Sequence, residues 1–536
     1  MDEESGGTES GGSSAAILYT EQTLTEEQKA QARANIGVAT ETATYYTNLS
    51  TAIIDINNGA SDSATTDISA AKVEVFTADN GRLTVRLLDN VTESVKFTVD
   101  KDLDLVLNGK TLSLKSNPDT SYMIKFAEGT NCTIDGRIEG SAVVVDDVIN
   151  LDSALRVFDI YSKSFYVLGG TYNGKIDGDI GCNYFVSRDS CGKFSMTNSS
   201  INLEHINATL ANPNDTHYAR ALYFFGDNVT LENCSISVLT QAFWADAVIT
   251  AKKVNVINCD ISAVSTQNDA RGINIYASSD VTIDNSKIFT DATGDTANSE
   301  EAIAIGVVVT SFATLRCYNS EVVGTHSGIQ SSGNLYVSGG TYNGYSHGGF
   351  YFVHSTDNEA YINDAIIQVG MYTGQFTDIY PGSAVNPLAG FYYGNADGTA
   401  LNSKVYMDGC LIQGKGDEYF VVRHANSNNV NELYISNTTC EVECDKDIPI
   451  RLNGSYQGQI ASQRAKMYIG DGCNFTPSMT TNPDCAEETG LLYRRVEDTA
   501  AVNGKDYNAF IELFDNIDTA LDSIIAIQET LIGGDS

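Results

Sequence analysis

The sequence predicts an all-β fold, a right-handed parallel β-helix solenoid of about 13 coils, on three observations. The first is a phrase that returns. Val229-Thr230-Leu231-Glu232-Asn233-Cys234-Ser235-Ile236 comes back as Val254-Asn255-Val256-Ile257-Asn258-Cys259-Asp260-Ile261. It comes back again as Val281-Thr282-Ile283-Asp284-Asn285-Ser286-Lys287-Ile288. Each copy alternates apolar and polar residues as a half-buried strand does, breaks at Asn, and resumes alternating. The second is the period. With the bend residue as a ruler, the phrase falls at Gly109, Gly136, Gly169, Asn198, Asn233, Asn258, Asn285, Asn319, Gly339, Asp364, Gly409, Asn437 and Asp471, in steps averaging about 30 residues. Gly, Asn and Asp are the residues that best tolerate the positive φ of a sharp bend.

The third observation is a second column in phase with the first. A small residue, an apolar one, any residue, then an apolar one appears at Ala221-Leu222-Tyr223-Phe224, Ala242-Phe243-Trp244-Ala245 and Gly272-Ile273-Asn274-Ile275. It continues at Ala302-Ile303-Ala304-Ile305, Gly328-Ile329-Gln330-Ser331, Gly349-Phe350-Tyr351-Phe352 and Gly390-Phe391-Tyr392-Tyr393. One strand–bend–strand unit cannot bury its apolar face alone, whereas stacked units can. Three strands per coil, stacked at the sheet spacing, give a rod on the order of 60 Å long. Sandwiches and barrels also hold many short strands but lack two columns in phase over such a length.

Composition narrows the function. The chain has 536 residues, with 69 acidic against 32 basic side chains and a net charge of −37. That balance opposes nucleic acid and anionic membrane surfaces, which require basic patches. Of 11 Cys, Cys234, Cys259, Cys410, Cys440 and Cys473 sit at or just after bends and Cys132 just before a strand. Those are positions for small buried side chains. An odd number cannot pair completely, and unpaired thiols fit synthesis in a reducing cytoplasm. Cys440 with Cys444, and Cys182 with Cys191, have no CxxC partner. The 6 His show no HExxH spacing, so neither metal nor cofactor is expected. No apolar run approaches the length of a membrane span, and no positively charged start precedes one, so neither a transmembrane helix nor a signal peptide is expected.

In chain order, residues 1–15 are acidic and rich in Gly and Ser, the composition of a disordered tail. In residues 16–70, Thr25 is an N-cap with Gln28 three later, Glu26 and Glu27 fill the first turn, Arg33 lies near the last, and Gly37 is a C-cap. They bound a helix over 26–36. Residues 40–70 read as a linker or a second short element around Ala52-Ile53-Ile54-Asp55-Ile56. The solenoid is expected over 71–490. The repeated hexapeptides Gly169-Gly170-Thr171-Tyr172-Asn173-Gly174 and Gly339-Gly340-Thr341-Tyr342-Asn343-Gly344 fall at bends. They lack the strand–loop–helix context of a phosphate loop, so they are turn glycines. The long step from Asp364 to Gly409 carries a surface excursion around residues 370–382.

Over 491–536 the period changes. Phe510, Leu513, Ile517, Ala520, Ile524, Ile527 and Leu531 fall at alternating steps of three and four, the stripe of an amphipathic helix. Such a stripe either caps its own solenoid or joins chains. Ile at both core positions favours a trimer.

The segment Leu24-Thr25-Glu26-Glu27-Gln28-Lys29, continuing through Gln31-Ala32-Arg33 to Asn35-Ile36-Gly37, resembles the attachment region of tailed-bacteriophage fibre and tailspike proteins. Leu103-Asp104-Leu105-Val106-Leu107-Asn108-Gly109-Lys110-Thr111-Leu112 is similar to the opening coil of pectate-lyase-like β-helices, and residues 520–534 resemble tails of phage structural proteins. The resemblance implies a virion protein made in the host cytoplasm and acting at the host cell surface. It implies a homotrimer bound to other virion proteins through Leu24, Thr25, Gln28, Arg33, Ile36 and Gly37.

Aromatic residues at the variable position of the second column, Tyr223, Trp244, Tyr351 and Tyr392, are candidate platforms for sugar rings. Arg220, Asp246, Arg271, Glu300, Glu301, His326 and His347 lie near the same strands. Asp246 and Glu301, two coils apart, stand at the edge of the carboxylate spacing an inverting glycosidase uses, and Arg271 beside Glu301 offers a lyase its base and cation. Three functions therefore stand: a trimeric fibre or spike that binds host polysaccharide, a tailspike depolymerase acting as hydrolase or lyase, and a head fibre or decoration with a structural role.

Overall fold

A computed structural model describes residues 43–115, 121–148, 154–177, 181–206, 218–241, 244–250, 252–266, 269–276, 278–292, 303–344, 348–353, 358–369, 389–394, 404–416, 418–423, 432–444, 450–453, 466–469, 472–476, 487–488, 491–492 and 510–513. Strands before each bend, strands after it, and strands that return to the next coil form three separate sheets. The pre-bend sheet has 17 strands, the post-bend sheet 14 and the return sheet 13. Equivalent strands of successive coils pair in parallel: Val229 with Val254, and Val254 with Val281. The architecture is a mostly-β, parallel-sheet solenoid, consistent with a parallel β-helix.

Inward residues of each alternating strand bury completely. Val229, Leu231, Val254, Val256, Val281 and Ile283 are at most 1% exposed. Early coils fill the interior with stacked rings, such as Phe158 on Phe185 and Phe165 on Phe194. Middle coils use Val, Ile and Ala, and rings return at Tyr342, Phe350 and Phe352. At the bends, eleven of the thirteen ruler residues take φ between +46° and +72°. Their side chains form a ladder: Asn285 Nδ2 donates to Asn258 Oδ1 at 2.6 Å, and Asn258 Nδ2 to Asn233 Oδ1 at 3.3 Å. Gly136 departs from the ruler and ends the strand Asn131–Gly136 without a left-handed turn. It is glycine for another reason, since a Cβ there would lie 2.9 Å from the Gly170 Cα. Asp471 lies outside the described residues, and its neighbour Gly472 has φ +73°. The two hexapeptides share one geometry, with Gly169 and Gly170 at +69° and +89° and Gly339 and Gly340 at +69° and +88°.

Residues 44–70 belong to the same packed body. Strand Thr44–Tyr46 pairs antiparallel with Val73–Thr77, which pairs antiparallel with Leu83–Leu87 before parallel stacking begins. The apolar patch at Ala52 is a helix, Leu49–Asn58, capped by Asn48 and closed by Gly59 at φ +66°. Its first amides, Leu49 N and Ser50 N, donate to the buried carboxylate of Glu93 at 2.6 and 3.1 Å, a negative charge at the positive end of the helix. The helix covers the first coil, as solenoid caps do.

At the other end the structure corrects the reading of Phe510 and Leu513. They lie in a strand, Phe510–Leu513, parallel to Lys466–Ile469, with Ile511 opposite Met467 and Leu513 opposite Ile469. The Phe-Ile-Glu-Leu run is aromatic and β-branched, and it extends an existing sheet edge. A stripe at steps of three and four does not exclude a strand over its first four residues. Ile517, Ala520, Ile524, Ile527 and Leu531 lie outside the described residues, as do the helix over 26–36 with Leu24, Thr25, Gln28, Arg33, Ile36 and Gly37, and the excursion at 370–382.

Candidate functional site

The return sheet carries a cluster of charged and aromatic side chains. Three aligned triplets build it: Tyr218-Ala219-Arg220, Trp244-Ala245-Asp246 and Asp269-Ala270-Arg271. Register places Tyr218, Trp244 and Asp269 side by side across three coils, and Arg220, Asp246 and Arg271 side by side next to them. The alanines between point inward and are fully buried, so the flanking residues share the outer face.

Asp246 is 1% exposed and sits between two guanidiniums. Arg220 Nε donates to Asp246 Oδ2 at 3.2 Å, while Asp246 Oδ1 is buried without a hydrogen-bond partner. Arg271 pairs instead with Asp269, at 3.1 Å. The Ile303 amide donates to the other Asp269 oxygen at 3.3 Å. Burial first, then the nearby Asp246 charge, raises the Asp269 carboxyl above the usual carboxylate range. Aromatic faces complete the cluster. Arg220 lies 3.7 Å over the Tyr218 ring and 5.2 Å from that of Tyr223, and Arg271 lies 5.8 Å from Trp244. The Asn183 amide donates to Tyr218 Oη at 3.4 Å. The column continues upstream through Asn183 to Arg156, which with Arg188 holds Asp159.

The structure rearranges the expected aromatic row. Tyr223 is opposite Ile249, and the column then runs Asn274, Val308, Gln330, Tyr351 and Tyr392. Trp244 and Ala304 are not in it: Trp244 lies five residues upstream of Ile249, and Ala304 faces Ala270 in the core. The reason is that both strands contain the small-apolar pattern twice. The sheet aligns the second copies, Ala247-Val248 and Gly306-Val307. Only a small residue fits there, since a Cβ on Gly272 would meet Ile288 Cγ2 at 2.4 Å. Asp246 lies within the strand Trp244–Thr250. Tyr223 packs against Phe225 at 4.3 Å between centroids, and His326 meets the Tyr351 ring at 5.8 Å. Glu300, Glu301 and His347 lie outside the described residues. The structure sets Asp246 opposite Arg271, two residues that the sequence had each paired with Glu301 instead. Sequence reasoning missed Asp269 and Tyr218, although the triplet with a central Ala at 218, 244 and 269 was a readable signal.

Elsewhere, a concavity of about 750 Å³ opens over the bends beside Arg137, Gly169 and Asn198. Its hydroxyls at Ser141 and Ser199 are already used by backbone groups. Among the described residues no three His, Cys, Asp or Glu side chains converge as metal ligands. No protein-family model, no curated protein and no solved structure matches this chain. The likeness to phage fibres therefore rests on the quoted residues alone.

Proposed function

We propose that the chain is a bacteriophage virion fibre or spike subunit: a right-handed, trimeric β-helical shaft of about 13 coils, held to the virion through residues 16–70, that presents its return face to a host surface polysaccharide. The observation that carries the glycan reading is the cluster of Tyr218, Arg220, Trp244, Asp246, Asp269 and Arg271. It sets aromatic rings beside fixed hydrogen-bonding charges on one rigid sheet, the combination that packs a sugar ring and reads its hydroxyls. Trp244→Ala is expected to weaken binding to the host polysaccharide roughly tenfold, about 1.4 kcal/mol, as loss of a central aromatic anchor does. A glycan array with no binding by the wild-type protein would favour a structural decoration.

The depolymerase reading draws support from one observation. Asp269 and Asp246 are diagonal neighbours on adjacent strands, a relation that spans roughly 7–8 Å and falls within the separation of an inverting acid–base pair. The raised Asp269 carboxyl suits a general acid, and Asp246, beside Arg220, suits the base. Incubation with host capsule, followed by assay for new reducing ends or unsaturated uronates, tests it. Cleavage lost in both Asp269→Asn and Asp246→Asn would establish the enzyme. Cleavage lost only in Glu301→Gln would move the chemistry to that residue.

A further inference from the structure

At seven of the left-handed bends the residue that follows is Ser, Thr or Cys, with one recurring task. Its side chain donates to the backbone carbonyl two residues earlier. Ser199 does so to Thr197 O at 2.9 Å, Ser286 to Asp284 O at 2.9 Å, Ser320 to Tyr318 O at 2.7 Å and Thr438 to Ser436 O at 2.8 Å. Cys234, Cys259 and Cys410 fill the same position and reach the same carbonyl at 3.3, 3.3 and 3.4 Å. A thiol is the weaker donor, so a hydroxyl serves this task better. Where Cys stands in place of Ser, reactivity is the property that distinguishes it.

Two of these thiols are stacked. Ser235 is opposite Asp260, and the Asp260 amide donates to Cys234 O at 2.9 Å, so Cys234 and Cys259 are neighbours one coil apart. Their thiols fill the same place in successive coils, and each is 3% exposed. One strand step is about 4.8 Å, within the Cα separation a disulfide spans. Cys410 has the same place in its own coil, but its neighbours in the column are Ala365 and Thr438. It is a built-in control.

We infer that Cys234 and Cys259 are a peroxide-sensitive modification site, joined on oxidation into a disulfide that staples one coil to the next. The bond closes the whole coil that carries Trp244 and Asp246. The chemistry balances with hydrogen peroxide as oxidant. The Cys259 thiolate attacks a peroxide oxygen, the O–O bond breaks, and the departing hydroxide takes the proton lost from the thiol and leaves as water. The resulting sulfenic acid is attacked by the Cys234 sulfur. The S–S bond forms, the S–O bond breaks, and a second water leaves with the Cys234 proton. Two thiols are oxidised and one peroxide becomes two waters. Of the two, Cys259 is drawn below the ordinary thiol range by the Cys234 thiol beside it, and Cys234 is raised in return, so Cys259 is taken as the attacking thiolate. Burial pushes the solitary Cys410 up to about 12.

The test treats the full-length protein with hydrogen peroxide, then denatures, alkylates and digests it. The expected result is a single linked peptide containing Cys234 and Cys259, two hydrogens lighter than its parts and released by dithiothreitol, with Cys410 still alkylated. In Cys234→Ser, whose new hydroxyl matches the rest of the column, Cys259 is expected to stop at sulfenic or sulfinic acid. The inference is overturned if both thiols remain alkylated under conditions that oxidise surface methionine. It is equally overturned if wild-type Cys259 gives the same oxyacid as the Cys234→Ser variant, or if Cys410 reacts as fast as the pair.

Discussion

At the residue scale, the bends decide the fold. Asn258 holds φ at +52° and both accepts from Asn285 and donates to Asn233. Asn258→Ala keeps a Cβ in the left-handed region but removes the polar side chain that eases that conformation, a loss of up to about 1–2 kcal/mol, and it breaks the ladder. A lower urea midpoint is expected, with Asn258→Gly affected less because it carries no Cβ; equal losses in both would assign the effect to the ladder alone. A second residue sets a pH dependence. Asp269 has its folded pKa raised above the ordinary 3.8. A carboxyl raised on folding adds stability below 3.8 and loses it as pH climbs through the folded value. Asp269→Asn removes that titration, so the variant is expected to gain on wild type as pH rises from below 3.8 to neutral. Parallel pH curves of the two urea midpoints would contradict it. The bends were legible in the sequence because Asn, Gly and Asp announce a backbone conformation. Asp269 was not, because a carboxylate acquires its character only from neighbours that register supplies.

At the scale of elements, phase was harder to read than existence. Strand after strand lies where alternation placed it, but two return strands held the small-apolar pattern twice, and the copy used is the one that puts a small residue in a crowded place, as Gly306 sits against Val322. A second aromatic row lies on another sheet. On the outer face of the pre-bend sheet, Tyr336, Tyr361, Tyr406 and Tyr434 stand in register. Their rings lie 5.7, 5.0 and 5.0 Å apart and are tilted by no more than 16°. Arg316 covers the first ring at 5.6 Å. Coils of unequal length scatter these tyrosines along the sequence, but each falls three residues before a ruler bend, Gly339, Asp364, Gly409 and Asn437, so the bends made the row legible. Their faces are spent on each other, so the row ties coils together and offers no flat platform to a sugar. Tyr361→Leu removes two ring pairs and is expected to cost about 1–3 kcal/mol. Tyr166→Leu, on the same face between Thr133 and Ser195, removes none. Similar losses in the two variants by chemical denaturation would show that stacking adds nothing beyond burial.

At the scale of the molecule, a solenoid has two ends to satisfy, and the sequence treats them differently. The first coil is closed from within: the helix Leu49–Asn58 lies over it, and Glu93, 3% exposed, anchors the helix through its first amides. At the far end, Phe510–Leu513 adds one more strand to the pre-bend sheet. The apolar stripe continues beyond it through Ile517, Ala520, Ile524, Ile527 and Leu531. We propose that the remaining stripe serves association between chains, since Ile-rich spacing of this kind favours three strands. Truncation after Leu513 separates the two jobs, since it keeps the strand and removes the stripe. The full chain is expected to scatter light as a trimer and the truncated chain as a monomer, with the same far-ultraviolet circular dichroism per residue. A monomeric full chain would refute association through the stripe. A truncated chain that loses its β signal would show instead that the stripe is the solenoid's own lid.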